Sequence, residues 1–386
     1  MSAATLAREL AALESEGLVR KRRVLQTPQR ARVKVDGREF VAFCSNDYLG
    51  LAAHPELVSA AREGASAFGV GSGASHLVLG HSTAHQALED ALARFTRLPA
   101  ALCFASGYMA NLGLVTALAG RNAAIFADKL NHASLNDAAL LSRAELKRYA
   151  HLDLAALDRL LATSRAPRKL IVTDAVFSMD GDIAPVDQLL ELAERHDAWL
   201  VIDDAHGFGV LGAGGRGVLE LMNVRSPRIA YMATLGKAAG VYGAFVAGEP
   251  ELIASLVQRA RTYVYTTATP PLLACAVVKS LELIEREEWR RAHLRALITI
   301  LKAGLGEAPW RLLSSDTAIQ PLVIGDNAEA VDLSVRLADR GVLVPAIRPP
   351  TVPRGTARLR ISLSADHCVE DVQRLVEALR SSAQPP

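Results

Sequence analysis

Cysteine is scarce and scattered. Cys44, Cys103, Cys275 and Cys368 are the only four, and no Cys-x-x-Cys occurs. That disfavours a thiolate metal knuckle and a disulfide-stapled scaffold, and it fits a reducing compartment. Charge of one sign is also lacking. Lys and Arg total 43 against 41 Asp and Glu, for a net charge of +2. Nothing global therefore points to nucleic acid or an anionic membrane. No apolar stretch approaches the roughly 18 residues of a membrane span. The N-terminus shows no basic segment followed by an apolar run, so no signal peptide is expected. These absences lead to an expectation of a soluble, cytoplasmic protein with no nucleic-acid or membrane partner.

What is present is a long, apolar chain. Its 386 residues are 50% hydrophobic, enough for one large and one smaller domain. Leu6, Leu10, Leu13 and Leu18 predict an amphipathic helix over 4–19. Residues 33–43 alternate like a hairpin around Asp36-Gly37. From 54 to 285 apolar runs such as 101–104, 170–173, 199–202 and 243–247 alternate with amphipathic segments at 84–96, 108–119, 153–162 and 186–196. That alternation predicts an α/β fold with a mainly parallel sheet covered by helices. Beyond 285 a smaller α+β unit is expected. A helical stretch at 282–305 is followed by strands near 319–324 and 357–363 and helices near 328–340 and 366–381. The expected divisions are 1–53, 54–285 and 286–386. Three prolines make the loop Arg348–Pro353 rigid and extended in this reading.

Lys237, in Thr234-Leu235-Gly236-Lys237-Ala238-Ala239-Gly240, is the most informative residue. A glycine-framed lysine downstream of Asp203-Asp204-Ala205-His206 suits a pyridoxal phosphate enzyme. The lysine would bond the cofactor aldehyde, and Asp203 would keep the ring nitrogen protonated. Three other patterns are weaker. Gly207-Phe208-Gly209-Val210-Leu211-Gly212 matches a dinucleotide fingerprint, but Gly214, Gly215 and Gly217 continue a loop where a helix is needed. Gly236-Lys237 lacks the Ser/Thr that follows in a nucleotide loop. Asp203–His206 lacks a second histidine at ligand spacing, so no metal is expected.

Other polar groups close the apolar runs. Ser106-Gly107-Tyr108 opens a helix after a strand, either a phosphate site or an ordinary turn. His132 stands in a strand-end loop, where it could simply cap the next helix. Ser178 ends another buried run, where serine is usually turn chemistry. Jointly they argue more. In a parallel sheet the ends carrying Gly107, His132, Ser178, Asp203 and His206 share one edge, and Lys237 follows them.

Asn46-Asp47-Tyr48-Leu49-Gly50, Asn131-His132-Ala133-Ser134, Phe177–Asp182, Asp203–Gly207 and Thr234–Lys237 resemble, in order and spacing, the fold-type I pyridoxal phosphate enzymes of the α-oxoamine synthase family. The resemblance covers nearly the whole chain. It implies pyridoxal 5'-phosphate as cofactor and these roles: Lys237 as covalent attachment and Cα base, Asp203 on the ring nitrogen, His132 on the ring face, and Ser178 and His206 at the phenolic oxygen. Gly107, Tyr108 and Thr234 would hold the phosphate, with Thr267 reaching a neighbouring subunit's phosphate in a homodimer. Asn46 and Arg360 would bind the amino-acid carboxylate, and Arg20, Arg348 and Thr351 would contact substrate. Ala318–Leu322 and Ala346–Pro353 resemble the branch that joins L-alanine to a pimeloyl thioester of coenzyme A or acyl carrier protein, in biotin synthesis. Sister enzymes using glycine or serine with other acyl groups look different at the second stretch. His76 and Leu79 stand where the family commonly has Arg and Ser.

Overall fold

The computed structural model describes residues 2–15, 19, 22–306 and 308–383. Leu18 of the expected N-terminal helix lies outside them. The helix itself spans Ala3–Ser15, buries none of its residues and leaves Leu6, Leu10 and Leu13 exposed. β1 (Arg32–Val35) and β2 (Arg38–Ala42) form the expected antiparallel hairpin. Asp36 and Gly37 take φ of 48° and 83° at its turn, the left-handed pair that a tight hairpin needs.

Seven strands make the central sheet: β3 (Ala100–Phe104), β4 (Ala123–Asp128), β5 (Glu145–Tyr149), β6 (Arg168–Asp174), β7 (Ala198–Asp203), β8 (Ile229–Thr234) and β9 (Ala244–Gly248). Their order is β3-β9-β8-β7-β6-β4-β5. Helices cover both faces, so the inner strands are apolar throughout. All six residues of β4 are buried. Its side chains alternate between two cores: Ala124 and Phe126 enter one, Ala123, Ile125 and Ala127 the other. Helix Val186–Arg195 seals the first with Val186, Leu189, Leu190 and Ala193, a stripe of helical period. Helix Gly107–Leu118 seals the second with Ala110, Leu114 and Val115.

β9 departs from the parallel pattern. It pairs antiparallel with both β3 and β8. The Leu235–Gly243 connection is too short for a parallel crossover, which takes about a dozen residues or more. The remaining strands are β10 (Arg311–Leu312), β11 (Ile319–Gly325), β12 (Val342–Leu343), β13 (Ala346–Ile347) and β14 (Ala357–Ser362). β10-β11-β14-β13 form a second sheet, while β12 joins β2 in parallel.

Two local expectations are corrected. The helical stretch at 282–305 is two helices, Pro271–Arg286 and Trp289–Leu305. The break lets Arg290 donate to both Glu287 Oε2 (2.7 Å) and the Leu49 carbonyl (2.9 Å). The Arg348–Pro353 loop is folded rather than extended. Thr351 N donates to Arg348 O at 3.0 Å across a cis Pro349-Pro350 bond, the arrangement of a type VI turn.

Candidate active site

The strand register brings the functional ends level. Asp174 of β6 pairs with Asp203 of β7, and Asp203 with Met232 of β8. Thr234 and Phe104 both pair with Ala244. A cavity of about 200 Å³ opens at this edge. Gly107, Tyr108, His132, Ser178, Asp203, His206, Thr234 and Lys237 all line it, as expected, together with Ser134, Asp174, Ala205 and Met232.

One pole is built for an anion. Ser106 caps helix Gly107–Leu118 by accepting from Met109 N at 3.3 Å. The amides of Gly107 and Tyr108 have no carbonyl to bond within the helix and sit at its positive end. A Cβ on Gly107 would come no closer than 3.9 Å to Met232 or Thr234, so this end of the cavity is open. Thr234 Oγ1 donates to Gly243 O (3.0 Å) and accepts from Gly236 N (3.3 Å), fixing the loop that carries Lys237.

The centre holds carboxylates and a lysine. Asp203 is 5% exposed. It accepts from Asn111 Nδ2 (2.7 Å) and Ala205 N (3.0 Å). Asp174 accepts from His132 N at 2.7 Å. Burial, and then the neighbouring Asp203, push its pKa well above the usual carboxylate range. Burial lowers Lys237 to about 8, against the pull of Asp203 and Asp174. Burial also lowers His132 and His206, the latter strongly, with Lys237 adding to it.

His132 does cap the following helix: Ser134 N lies 3.3 Å and Ser134 Oγ 2.7 Å from its Nδ1. The two readings of this residue are therefore compatible. Accepting at Nδ1 leaves the proton of the neutral ring on Nε2, available as a donor. Lys237 Nζ lies 2.8 Å from His206 Nε2, and His206 Nδ1 lies 2.7 Å from Tyr48 Oη. Tyr48 Oη donates to Asn46 Oδ1 (3.1 Å), which also accepts from Arg360 (3.2 Å). Arg360 further donates to Ser178 O (2.6 Å) and Ser362 Oγ (2.9 Å).

Other expected site residues do not line this cavity. Arg348 and Thr351 border a separate groove with Leu10, Leu13 and Val19. Thr267 is exposed, in an isolated bridge with Ser75. Arg20 lies outside the described residues. Tyr48, Asn111, Ser134, Asp174 and Met232 were not anticipated at the site. A signal existed for Asn111, a polar residue beside the apolar Ala110 and Leu114 in a buried helix.

The glycines that imitate a dinucleotide loop have another cause. A Cβ on Gly207 or Gly217 would sit 2.1 or 2.0 Å from an Asp204 carboxylate oxygen. The loop wraps Asp204, which accepts from Val218 N (2.7 Å) and Tyr231 Oη (2.9 Å). His76, His81 and His85 cluster closely enough to share an ion. However, His85 already lies within 3.0 Å of Ser82 N and 2.7 Å of Thr269 O through its two nitrogens. Finally, His151 bridges Asp182 (2.7 Å) and Asp128 (3.1 Å), tying the Ser178 turn to the loop before His132.

This donor set suits pyridoxal phosphate: a buried amine of lowered basicity, a fixed carboxylate, and a helix end open to a phosphate. The comparisons agree. The family model for aminotransferase class I and II matches residues 38–379. An 8-amino-7-oxononanoate synthase of Nitrosospira multiformis is 64% identical over 95% of this chain and 92% of its own. Among solved structures, serine palmitoyltransferase with PLP internal aldimine is 29% identical, with a TM-score of 0.92 over 98% of this chain and 96% of its own. The 8-amino-7-oxononanoate synthase of Francisella tularensis is 31% identical, with a TM-score of 0.78 over 89% of this chain and 97% of its own.

Proposed function

We infer the reaction from one premise: the chain belongs to the aminotransferase class I and II family and, within it, to the 8-amino-7-oxononanoate synthases. It is a pyridoxal phosphate-dependent acyltransferase of biotin biosynthesis. It condenses L-alanine with a pimeloyl thioester, giving 8-amino-7-oxononanoate, carbon dioxide and free thiol. The observation that carries the site assignment is the convergence of Lys237, Asp203, His132 and His206 on one cavity.

When bound, pyridoxal phosphate supplies an electron-poor ring that accepts the electron pair left at the substrate Cα. Lys237 is its attachment point, and Asp203 would hold the ring nitrogen. The Gly107 and Tyr108 amides and Thr234 would hold the phosphate, and Ser178 and His206 the phenolic oxygen. Lys237 then carries the proton. An amine lowered to about 8 is partly unprotonated near neutral pH, so it takes the alanine Cα proton and later returns it. Between those transfers a C–C bond forms at the thioester carbonyl, the C–S bond breaks, and the alanine carboxyl leaves as carbon dioxide. His132 Nε2–H is placed to donate to charge developing in that last step. Asn46 and Arg360, already joined by a hydrogen bond, suit the alanine carboxylate.

The groove at Arg348 and Thr351 is the reading for the acyl chain, with Arg20 expected beside it. Coenzyme A and acyl carrier protein both fit as the acyl carrier. A homodimer is supported by Thr267, which is exposed and outside its own chain's cavity. Val70 and Leu79, on either side of the Ser75 that bridges to Thr267, are 78% and 86% exposed, apolar surface suited to a partner. Among the described residues no helix is long and apolar enough to cross a membrane. The divisions 54–285 and 286–386 are proposed as the large and small units, with β11 and β14 in the latter.

The deciding experiment is thiol release with alanine, glycine or serine against pimeloyl, acetyl, succinyl and palmitoyl thioesters. The alanine–pimeloyl pair should be fastest by a wide margin. A faster rate with any glycine or serine pair would overturn the substrate assignment.

A further inference from the structure

Tyr48 belongs to no role assigned so far, yet it is fully buried and touches the lysine's partner. Its hydroxyl lies between His206 Nδ1 (2.7 Å) and Asn46 Oδ1 (3.1 Å). We propose that Tyr48 is a positioning residue that fixes the tautomer of His206, proton on Nδ1 and lone pair on Nε2 toward Lys237.

The argument is one of matching donors to acceptors. A lysine ammonium has protons and no lone pair. While Lys237 is protonated, His206 Nε2 at 2.8 Å accepts from it. A neutral imidazole that accepts at Nε2 carries its proton on Nδ1. Burial and the Lys237 charge keep the ring neutral. Tyr48 Oη accepts a hydrogen bond from that N–H and donates its own O–H to Asn46 Oδ1, which can only accept. Arg360 donates to the same oxygen and approaches Tyr48 Oη at 3.5 Å, adding donors on the far side. Every contact is then satisfied in one direction. The reverse arrangement places an N–H against the ammonium and leaves Asn46 Oδ1 without Tyr48.

Removing the hydroxyl has a directional consequence. In Tyr48→Phe, the Nδ1 proton has no acceptor in a buried pocket, a costly state. The ring moves its proton to Nε2, where it donates to Lys237 and favours the neutral amine. Asp203, Asp174, Asp204 and Arg360 also face Lys237; of these only Arg360 touches the Tyr48 hydroxyl, and it keeps its bonds to Ser178 O, Asn46 Oδ1 and Ser362 Oγ.

Two measurements test this. The first uses the unaltered full chain, labelled with ¹⁵N-histidine, before cofactor is added. Long-range NMR should show Nδ1 protonated in the His206 signal, which is identified by its loss in His206→Asn. Protonation of Nε2 instead overturns the proposal, and this result does not depend on any Tyr48 variant folding. The second follows the rate of pyridoxal phosphate capture by the full chain against pH. Its inflection should fall by about one pH unit in Tyr48→Phe, a tenfold change in proton affinity. Tyr48→Phe combined with His206→Asn should give no shift beyond His206→Asn alone. An unmoved inflection in a folded Tyr48→Phe protein would overturn it. The proposal rests on Lys237 as the cofactor-bearing residue only for its consequence. Failure of the unaltered chain to capture cofactor at any pH would reject that reading, while the tautomer measurement would stand.

Discussion

In the proposed mechanism Lys237 and Asp203 divide the work of one proton transfer. Burial makes the amine a better base near neutrality, and the Asp203 charge keeps it from losing its proton altogether. Asp203→Asn should still fill the cavity and accept the Ala205 amide. It should bind pyridoxal phosphate but lose the charge opposite the ring nitrogen. Exchange of the alanine Cα hydrogen with deuterium should fall about 10²-fold or more; exchange at the unaltered rate would remove Asp203 from that role. His151 gives a prediction on stability. Burial opposes its charge, but Asp128 and Asp182 outweigh it and raise the imidazole to about 10. A raised folded value means the stabilisation is full below the unfolded value of about 6.5. It is lost as pH rises through about 10. His151→Gln should therefore lower the melting temperature at pH 6, by about 1–3 kcal/mol of stability. The gap between the two proteins should close by pH 11, and a gap independent of pH would argue against the ion bridge. Lys237, His132 and Asp203 were legible from their neighbours in sequence. Tyr48 was not, because its role lies in a contact with a residue 158 positions away; Asn111 stood out only as a polar residue among apolar neighbours, its partner Asp203 lying 92 positions away.

Elements were legible where packing imposes a period. Helix Val186–Arg195 buries its stripe against one core, and the apolar run of β4 feeds both. β5 has no such run. It is an edge strand with mostly solvent-accessible residues, so little burial shapes its sequence. The 282–305 stretch stays helical in pattern across a real break, because no glycine or proline marks it locally and the contact it permits, Arg290 to the Leu49 carbonyl, is distant in the chain. The turn after Lys237 shows how backbone proximity constrains an element. Gly240 has φ of 69°, and a Cβ there would lie 2.6 Å from Ala52 N and 2.7 Å from the Leu51 carbonyl carbon. Gly240→Ala should cost about 2 kcal/mol or more and push the lysine loop off Leu51 and Ala52. Gly37→Ala is the control: φ is 83°, but nothing lies within 4 Å. It should cost only about 1–2 kcal/mol. Equal melting losses in the two variants would contradict the steric account.

At the scale of the molecule, the sequence carries the sheet class but not which surfaces meet another chain. That depends on where exposed Thr267, Val70 and Leu79 fall in space. For the proposed dimer, Thr267→Val should weaken cofactor retention by up to about tenfold, roughly one hydrogen bond. Sedimentation should find two chains per particle for both proteins; a single-chain species with full cofactor affinity would exclude the shared site.

The antiparallel strand has a consequence for synthesis. β3 has one neighbour in the sheet, and that neighbour is β9. A ribosome releases β3 long before Ala244 emerges. Until then the apolar run Ala101–Phe104 has no strand to pair with on either side. An unpaired apolar strand is a template for association with other chains. The strand that closes the sheet thus also sets the interval during which the newborn chain is most exposed to aggregation.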